Sequence, residues 1–179
     1  MRYVALLRGI NVGGQKLMKM ADVRECLEGR GFSHVTTYIQ SGNILFESDQ
    51  AAVARLTAAM ERAFAETFGH DVPVFLRSRI QLKKIVTQAP AAWKAGKVLR
   101  QNVAFLRAPL TAQRVLPEIH LRPGVDSVTA GDGVLYLSTV MSRLKQSRLP
   151  RIVGTPIYGD MTIRSYSTCQ KILALMEAD

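Results

Sequence analysis

The sequence predicts an α+β protein made of two tandem ferredoxin-like (βαββαβ) subdomains sharing a core, with a C-terminal helix. Three observations lead there. Residues 2 to 77 read in the order strand, helix, strand, strand, helix, strand, which is the ferredoxin-like unit. A similar order can be read again after the connecting stretch Gln88 to Lys97. The 179 residues are 47% hydrophobic and 21% charged, which suits one or two domains with real cores and excludes a wholly disordered chain.

The first strand, Arg2 to Arg8, is rich in Tyr, Val and Leu and stops at the glycine-bearing segment Gly9-Ile10-Asn11-Val12-Gly13-Gly14. A short helix over Met20 to Glu28 follows, with Met20, Val23 and Leu27 on one face and Gly29 or Gly31 as its stop. Val35 to Gln40 alternates as a strand, Ser41-Gly42-Asn43 turns the chain, and Ile44 to Glu47 returns as a hairpin. Gln50 to Phe68 sets Val53, Leu56, Met60, Phe64 and Phe68 on one helical stripe, with Asp49 placed to cap it. Val72 to Arg77 is the last strand of this unit, and Arg79 to Gln88 a linking helix.

In the second unit Asn102 to Arg107 is a strand and Thr111 to Ile119 a short helix. Val125 to Ala130 and Val134 to Val140 form a hairpin around Gly131-Asp132-Gly133. Met141 to Leu149 is a poor helix ended by Pro150, Ile157 to Arg164 the last strand, and Ser167 to Met176 the closing helix with an apolar face of Ile172, Leu173 and Met176. The boundaries are therefore 1–88 and 98–179. The duplication is one of element order, not of repeated sequence, and neither copy is large enough to be comfortably stable alone.

Lys and Arg number 24 against 14 Asp and Glu, a net charge of +10. Val72 to Pro117 contains no carboxylate but carries Arg77, Arg79, Lys83, Lys84, Lys94, Lys97, Arg100, Arg107 and Arg114; Gly133 to Gly159 is a second acid-free window. Such stretches favour polyanions through counterion release, or serve as a solvated, solubilising surface. No stretch approaches the ~20 apolar residues of a spanning helix, and Val4 to Leu7 is too short for a signal segment, so no membrane partner and a cytoplasmic location are expected. Cys26 and Cys169 lie far apart, as reduced thiols would, and neither they nor His34, His70 and His120 have metal-ligand spacing, so no metal and no cofactor are expected.

In a ferredoxin-like unit the end of the first strand and the turn of the hairpin lie at one sheet edge. That brings Arg8, Asn11, Gly13, Gly14 and Lys16 beside Gln40, Ser41 and Asn43. Glycine amides, a guanidinium, an ammonium and small amide or hydroxyl groups are what a phosphate or carboxylate requires. Gly9-x-x-x-x-Gly14-Gln15-Lys16 comes within one residue of a Walker A loop, but Gln15 displaces the lysine and Leu17 occupies the place of the metal-binding hydroxyl. A purely structural reading makes the glycines a tight turn and Asn11 a cap. Ser41 lacks a nucleophile elbow and a base placed by sequence, and a turn role suits it better. An RRM-like sheet face would have only Tyr3 and Phe46 to stack bases.

The string Tyr3-Val4-Ala5-Leu6-Leu7-Arg8-Gly9-Ile10-Asn11-Val12-Gly13-Gly14, then Lys19-Met20-Ala21-Asp22 and Thr37-Tyr38-Ile39-Gln40-Ser41-Gly42-Asn43, resembles the uncharacterised bacterial family called domain of unknown function 1697. The resemblance extends to Ser142-Arg143-Leu144-Lys145 and to Thr162-Ile163-Arg164-Ser165-Tyr166-Ser167-Thr168, where this chain has Ser165 and Tyr166 in place of the family's Asn and Trp. It implies paired ferredoxin-like subdomains and no established activity, cofactor or partner. Arg164, at a strand end before a helix start with small residues, is expected to complete an anion site with the first-unit cluster. The favoured function is binding of a phosphate-bearing ligand, RNA or a nucleotide. The alternatives are a small-molecule enzyme of acyl or phosphoryl transfer at the same cleft and a protein interaction module; oligomeric state is open.

Overall fold

A computed structural model describes residues 1–14, 16–94 and 98–178. Gln15, weighed above in the Walker-like string, and residues 95–97 of the connecting stretch, Lys97 among them, lie outside the described residues. The chain divides into two compact units, Met1–Leu82 with Ile172–Asp179, and Lys83–Lys171. The division falls earlier than residue 88 and assigns the last turns of the C-terminal helix to the first unit, where the sequence reading had placed all of 98–179 in the second.

The first unit runs β1 (Arg2–Leu7), α1 (Met20–Glu28), β2 (Ser33–Tyr38), β3 (Asn43–Glu47), α2 (Val53–Phe68) and β4 (Val74–Ser78). Its sheet has the order β2-β3-β1-β4, with every neighbouring pair antiparallel. Tyr3, Ala5 and Leu7 on β1 join Val23 and Leu27 of α1 and Met60 and Phe64 of α2 in one core, which Tyr3 and Phe46 floor with stacked rings 5.5 Å apart. Val4 and Leu6 on the opposite face are buried as well, which is why β1 reads as an unbroken apolar run instead of an alternating one. Arg2 pairs with Glu47 at 2.7 Å and also donates to the carbonyls of Met176 and Ala178, the negative end of the C-terminal helix.

Several bounds differ from the sequence reading. Strand β2 ends at Tyr38 and not at Gln40, because Ile39 takes a left-handed conformation (φ 52°) that turns its side chain out of the alternation and leaves it exposed. Helix α2 begins at Val53, and Asp49 does not cap it: the Gln50 side chain accepts from the Ala52 amide and holds the entry extended. Strand β4 begins at Val74, two residues after the expected Val72. The Val74 amide is satisfied by the Glu61 carboxylate, not by a further strand partner.

Helix α3 (Arg79–Thr87) leads to the second unit, whose regular elements are β5 (Leu99–Leu106), α4 (Ala112–Val115), β6 (Asp126–Gly131), β7 (Val134–Val140), β8 (Met161–Ser165) and the start of α5 (Tyr166–Glu177), the helix that runs on into the first unit from Ile172. Its sheet order, β6-β7-β5-β8 and antiparallel throughout, repeats that of the first. Thr111 caps α4, and Pro117 turns the rest of the expected helix into a short 3-10 turn. The expected helix over Met141–Leu149 does not form. Three 3-10 turns, Met141–Gln146, Leu149–Gly154 and Pro156–Asp160, stand between β7 and β8, and the last of them delays β8 from Ile157 to Met161.

The reason is a carboxylate. Asp126, 6% exposed, accepts from Ser147 Oγ (2.6 Å) and Thr139 Oγ1 (3.0 Å) on one oxygen and from the Arg148 (2.8 Å) and Arg122 (3.1 Å) amides on the other. These bonds hold Ser147 extended (φ −60°, ψ 142°), which breaks the helix there, and they tie down the Arg148 amide just before Pro150. Burial pushes the Asp126 carboxyl up, but the bonds from Ser147, Arg148, Arg122 and Thr139 together outweigh it and hold the group below its ordinary value. A depressed folded value stabilises the fold above the unfolded carboxylate pKa of about 3.9, and that stability is lost as pH falls through the folded value. Asp126→Ala should cost ~3 kcal/mol near neutral pH, because it orphans buried donors. Urea unfolding followed by the fluorescence of the chain's one tryptophan, Trp93 in the second unit, should show the gap between variant and wild type closing below about pH 4.

Candidate functional site

In the first unit β1 and β2 run parallel with β3 antiparallel between them, so the C-terminal end of β1 and the β2–β3 turn meet at one edge. Two bonds fasten them: the Leu7 amide donates to Gly42 O (2.8 Å), and Asn11 Nδ2 to Gln40 O (3.0 Å). Asn11 also closes its own loop. Its Nδ2 donates to Met18 O (2.9 Å), its Oδ1 accepts from the Met18 amide (2.8 Å), and its backbone amide reaches Lys16 O (3.2 Å). A third segment that the sequence reading left out joins the edge: the Arg8 amide donates to Pro73 O (3.0 Å) and Lys16 Nζ to Asp71 O (2.6 Å). Beside it His70 Nε2 is buried without a hydrogen-bond partner among the described residues.

The loop is held by left-handed residues at Gly9, Asn11, Gly13, Gly14 and Lys16. At Gly13 and Gly14 a Cβ would meet nothing within 4 Å, so these glycines serve the left-handed backbone angle and not a close approach. Gly42 is different: a Cβ there would come within 2.7 Å of Leu7 Cβ and 2.8 Å of Ile10 Cδ1, so its lack of a side chain lets the turn lie against β1.

The structure thus brings Arg8, Asn11, Gly13, Gly14, Lys16, Gln40, Ser41 and Asn43 to one edge, in two kinds of position. Asn11 and Asn43 are holding groups. Asn43 is fully buried and donates to Tyr38 O and Ser41 Oγ, both at 3.0 Å. Asn11 clasps the loop and does not cap α1, whose N-cap is Lys19. Gly13, Gly14, Lys16, Gln40 and Ser41 are exposed and Arg8 is half-buried. Together they bring backbone and side-chain donors and positive charge to the edge that Asn11 fastens, chemistry suited to an oxyanion. No grouping of three or more His, Cys, Asp or Glu among the described residues could hold a metal ion.

Arg164 lies in the second unit, where its Nη1 donates to Thr162 Oγ1 (2.9 Å) and Ile163 O (3.0 Å). Burial lowers its pKa to about 10, which still leaves it charged at neutral pH. Burial also pushes the nearby Cys169 thiol up to about 12, an unreactive state. Arg164 has a counterpart the sequence reading missed. Leu76-Arg77-Ser78 ends β4 as Ile163-Arg164-Ser165 ends β8; Arg77 Nη1 likewise bonds the preceding carbonyl, Leu76 O (2.8 Å). Arg77 faces Val4 on β1 as Arg164 faces Val103 on β5. The serines then start the next helices, Ser78 with Gln81 in a reciprocal capping box and Ser165 accepting from the Thr168 amide. The signal was three residues long in each copy, too short to register as a repeat.

Two four-stranded antiparallel sheets of identical strand order, each with helices, define an α+β protein with an internally duplicated fold. The chain belongs to the family described as "Protein of unknown function (DUF1697)", whose model matches residues 1–136. It is similar to the solved structure of the conserved bacterial protein SP0830 from Streptococcus pneumoniae, with 27% identity, 98% of each chain covered and a TM-score of 0.86. Among curated proteins none matches the chain significantly. No helix among the described residues is long and apolar enough to cross a membrane.

The two sorts of glycine make a paired test. Gly42→Ala should destabilise the first unit by more than about 2 kcal/mol, through collision with Leu7 and Ile10 added to the left-handed cost. Gly13→Ala should cost only about 1 kcal/mol, the conformational term alone. Denaturant melts of both variants check the order; equal costs would refute the close-approach role of Gly42.

Proposed function

We propose that this protein binds a phosphate-bearing ligand, RNA or a nucleotide, at the edge formed by residues 8–14 and 16–18 and the turn at 39–43, within a ferredoxin-like unit that the second half of the chain repeats. The strand orders β2-β3-β1-β4 and β6-β7-β5-β8, antiparallel in both sheets, support the ferredoxin-like reading. The single observation that carries the binding reading is the Asn11 clasp: it joins loop to turn while Gly13, Gly14, Lys16, Gln40 and Ser41 stay exposed. Arg8 and Lys16 supply charge, the glycine amides supply directed donors, and Gln40 and Ser41 orient the ligand. Val12, Leu17 and Ile39, all exposed, offer apolar surface to a base or sugar.

Base stacking on the sheet is disfavoured. Tyr3 and Phe46 stack on each other inside the core, and Val4, Leu6, Leu45 and Phe75 bury the opposite face, so neither face is the open aromatic platform an RRM requires. The ligand is held by its phosphates. Ser41 Oγ accepts from the buried Asn43 amide, which favours a bracing and orienting role over a nucleophilic one.

Fluorescence anisotropy of single-stranded RNA should give binding with a log-log salt slope of about −0.7 per phosphate contact. Arg8→Ala with Lys16→Ala should weaken it at least about ten-fold, the scale of two lost charge-assisted contacts. ATP competing at the same affinity would identify a nucleotide site. RNA binding unchanged in the double variant, or none by either ligand at low salt, would refute the reading.

A further inference from the structure

The second unit carries a site of a different chemistry. Where β7 would lead into a helix it leads into 3-10 turns, and these do not cover the sheet as a helix would. A cavity of about 280 Å³ is left between them and the strands. Leu137 and Ile163 floor it and Leu144, Leu149, Ile152 and Val153 wall it, while Thr139 and Ser147, which also line it, spend their hydroxyls on Asp126. At one end stand Arg100 and Asn102, alternate residues of β5 and so on one face of the sheet.

The same two residues line a second, polar cavity of about 370 Å³, where β5 runs on past the end of β8. Its other walls carry Ser165, Ser167 and Gln170. Arg100 is exposed, and its guanidinium makes no hydrogen bond or ion pair with any described residue, unlike the cationic groups of Arg2, Arg30 and Lys84, which all face carboxylates. A partnerless guanidinium, shared by an apolar cavity on one side and a hydroxyl- and amide-lined one on the other, matches a ligand with one apolar end and one anionic end.

We propose that the second unit binds a small amphipathic carboxylate, its hydrocarbon chain in the cavity floored by Leu137 and Ile163 and its carboxylate on Arg100 and Asn102. The mainly apolar cavity lies just below the roughly 300–1,000 Å³ of drug-sized ligand pockets, so the chain is a short to medium acyl chain and not a long lipid tail. Arg100 supplies a planar, two-pronged donor suited to a carboxylate, and Asn102 a second donor from the same strand face. This site is independent of the phosphate site proposed for the first unit, and each can fail without the other.

Isothermal titration of the full chain with octanoate tests it. Saturable one-to-one binding is expected, with octanol, which has the chain without the charge, at least about ten-fold weaker, and acetate, which has the charge without the chain, not binding. Arg100→Ala should weaken octanoate about ten-fold or more, the scale of a lost charge-assisted bond. Val153→Trp, at a position 58% exposed and so tolerant of size, should block the cavity without unfolding the unit. Trp93, whose ring lies 4.9 Å from that of Tyr166 on the polar cavity, gives a parallel fluorescence readout. No octanoate binding, equal binding of octanol, or octanoate bound equally by both variants would overturn the proposal.

Discussion

One amide side chain organises the edge on which the functional reading depends. Asn11 uses its carbonyl oxygen and both protons of its amide on Met18 and Gln40, and so does two jobs: it closes the loop that follows β1 and joins that loop to the turn between β2 and β3. The loop around it is built from left-handed residues, a conformation glycine adopts without cost and asparagine more readily than most. Gly42 completes the arrangement from the other side, since only a residue without a side chain lets the turn carbonyl reach the Leu7 amide. Remove these and the charged and amide donors would still exist, but not in one place.

The two units show how one topology tolerates different fillings. Both sheets have the same order, and both end their last strand with an aliphatic residue, an arginine and a helix-capping serine. In the first, α2 covers the core with Leu56, Met60 and Phe64. In the second, the Asp126 carboxylate gathers four donors and replaces the helix with pinned turns. A buried carboxylate so satisfied is costly to break, yet it covers less apolar surface than a helix would, and the cavity bordered by Arg100 is the consequence.

Much of this was legible in the sequence because it rests on short-range rules. The periodicity of Met20, Val23 and Leu27 gave α1 its bounds, and the turn residues around Gly131-Asp132-Gly133 placed the second hairpin. The proximity of Arg8 and Asn11 to Gln40 and Ser41 followed from topology alone. What could not be read depended on contacts between distant residues. Nothing local shows that Ser147 and Arg148 answer to Asp126, so Met141–Leu149 looked helical; nothing local shows that Asp71 and Pro73 return to Lys16 and Arg8. Ile39 fitted the alternation of β2, and only its left-handed angle, set by the turn, took it out. Asn11 and Asn43 read as ligand donors, whereas Asn11 holds the backbone of the loop and turn and Asn43 braces Tyr38 O and Ser41 Oγ.

The most direct test of the central claim, that the clasped edge holds phosphate, is to titrate inorganic phosphate and then a short single-stranded RNA into ¹⁵N-labelled protein and follow the backbone amides. The account predicts shifts concentrated at Gly13, Gly14, Lys16, Gln40 and Ser41, with both ligands moving the same signals. Shifts confined to other segments, or none at ligand concentrations that saturate RNA binding in solution, would contradict it.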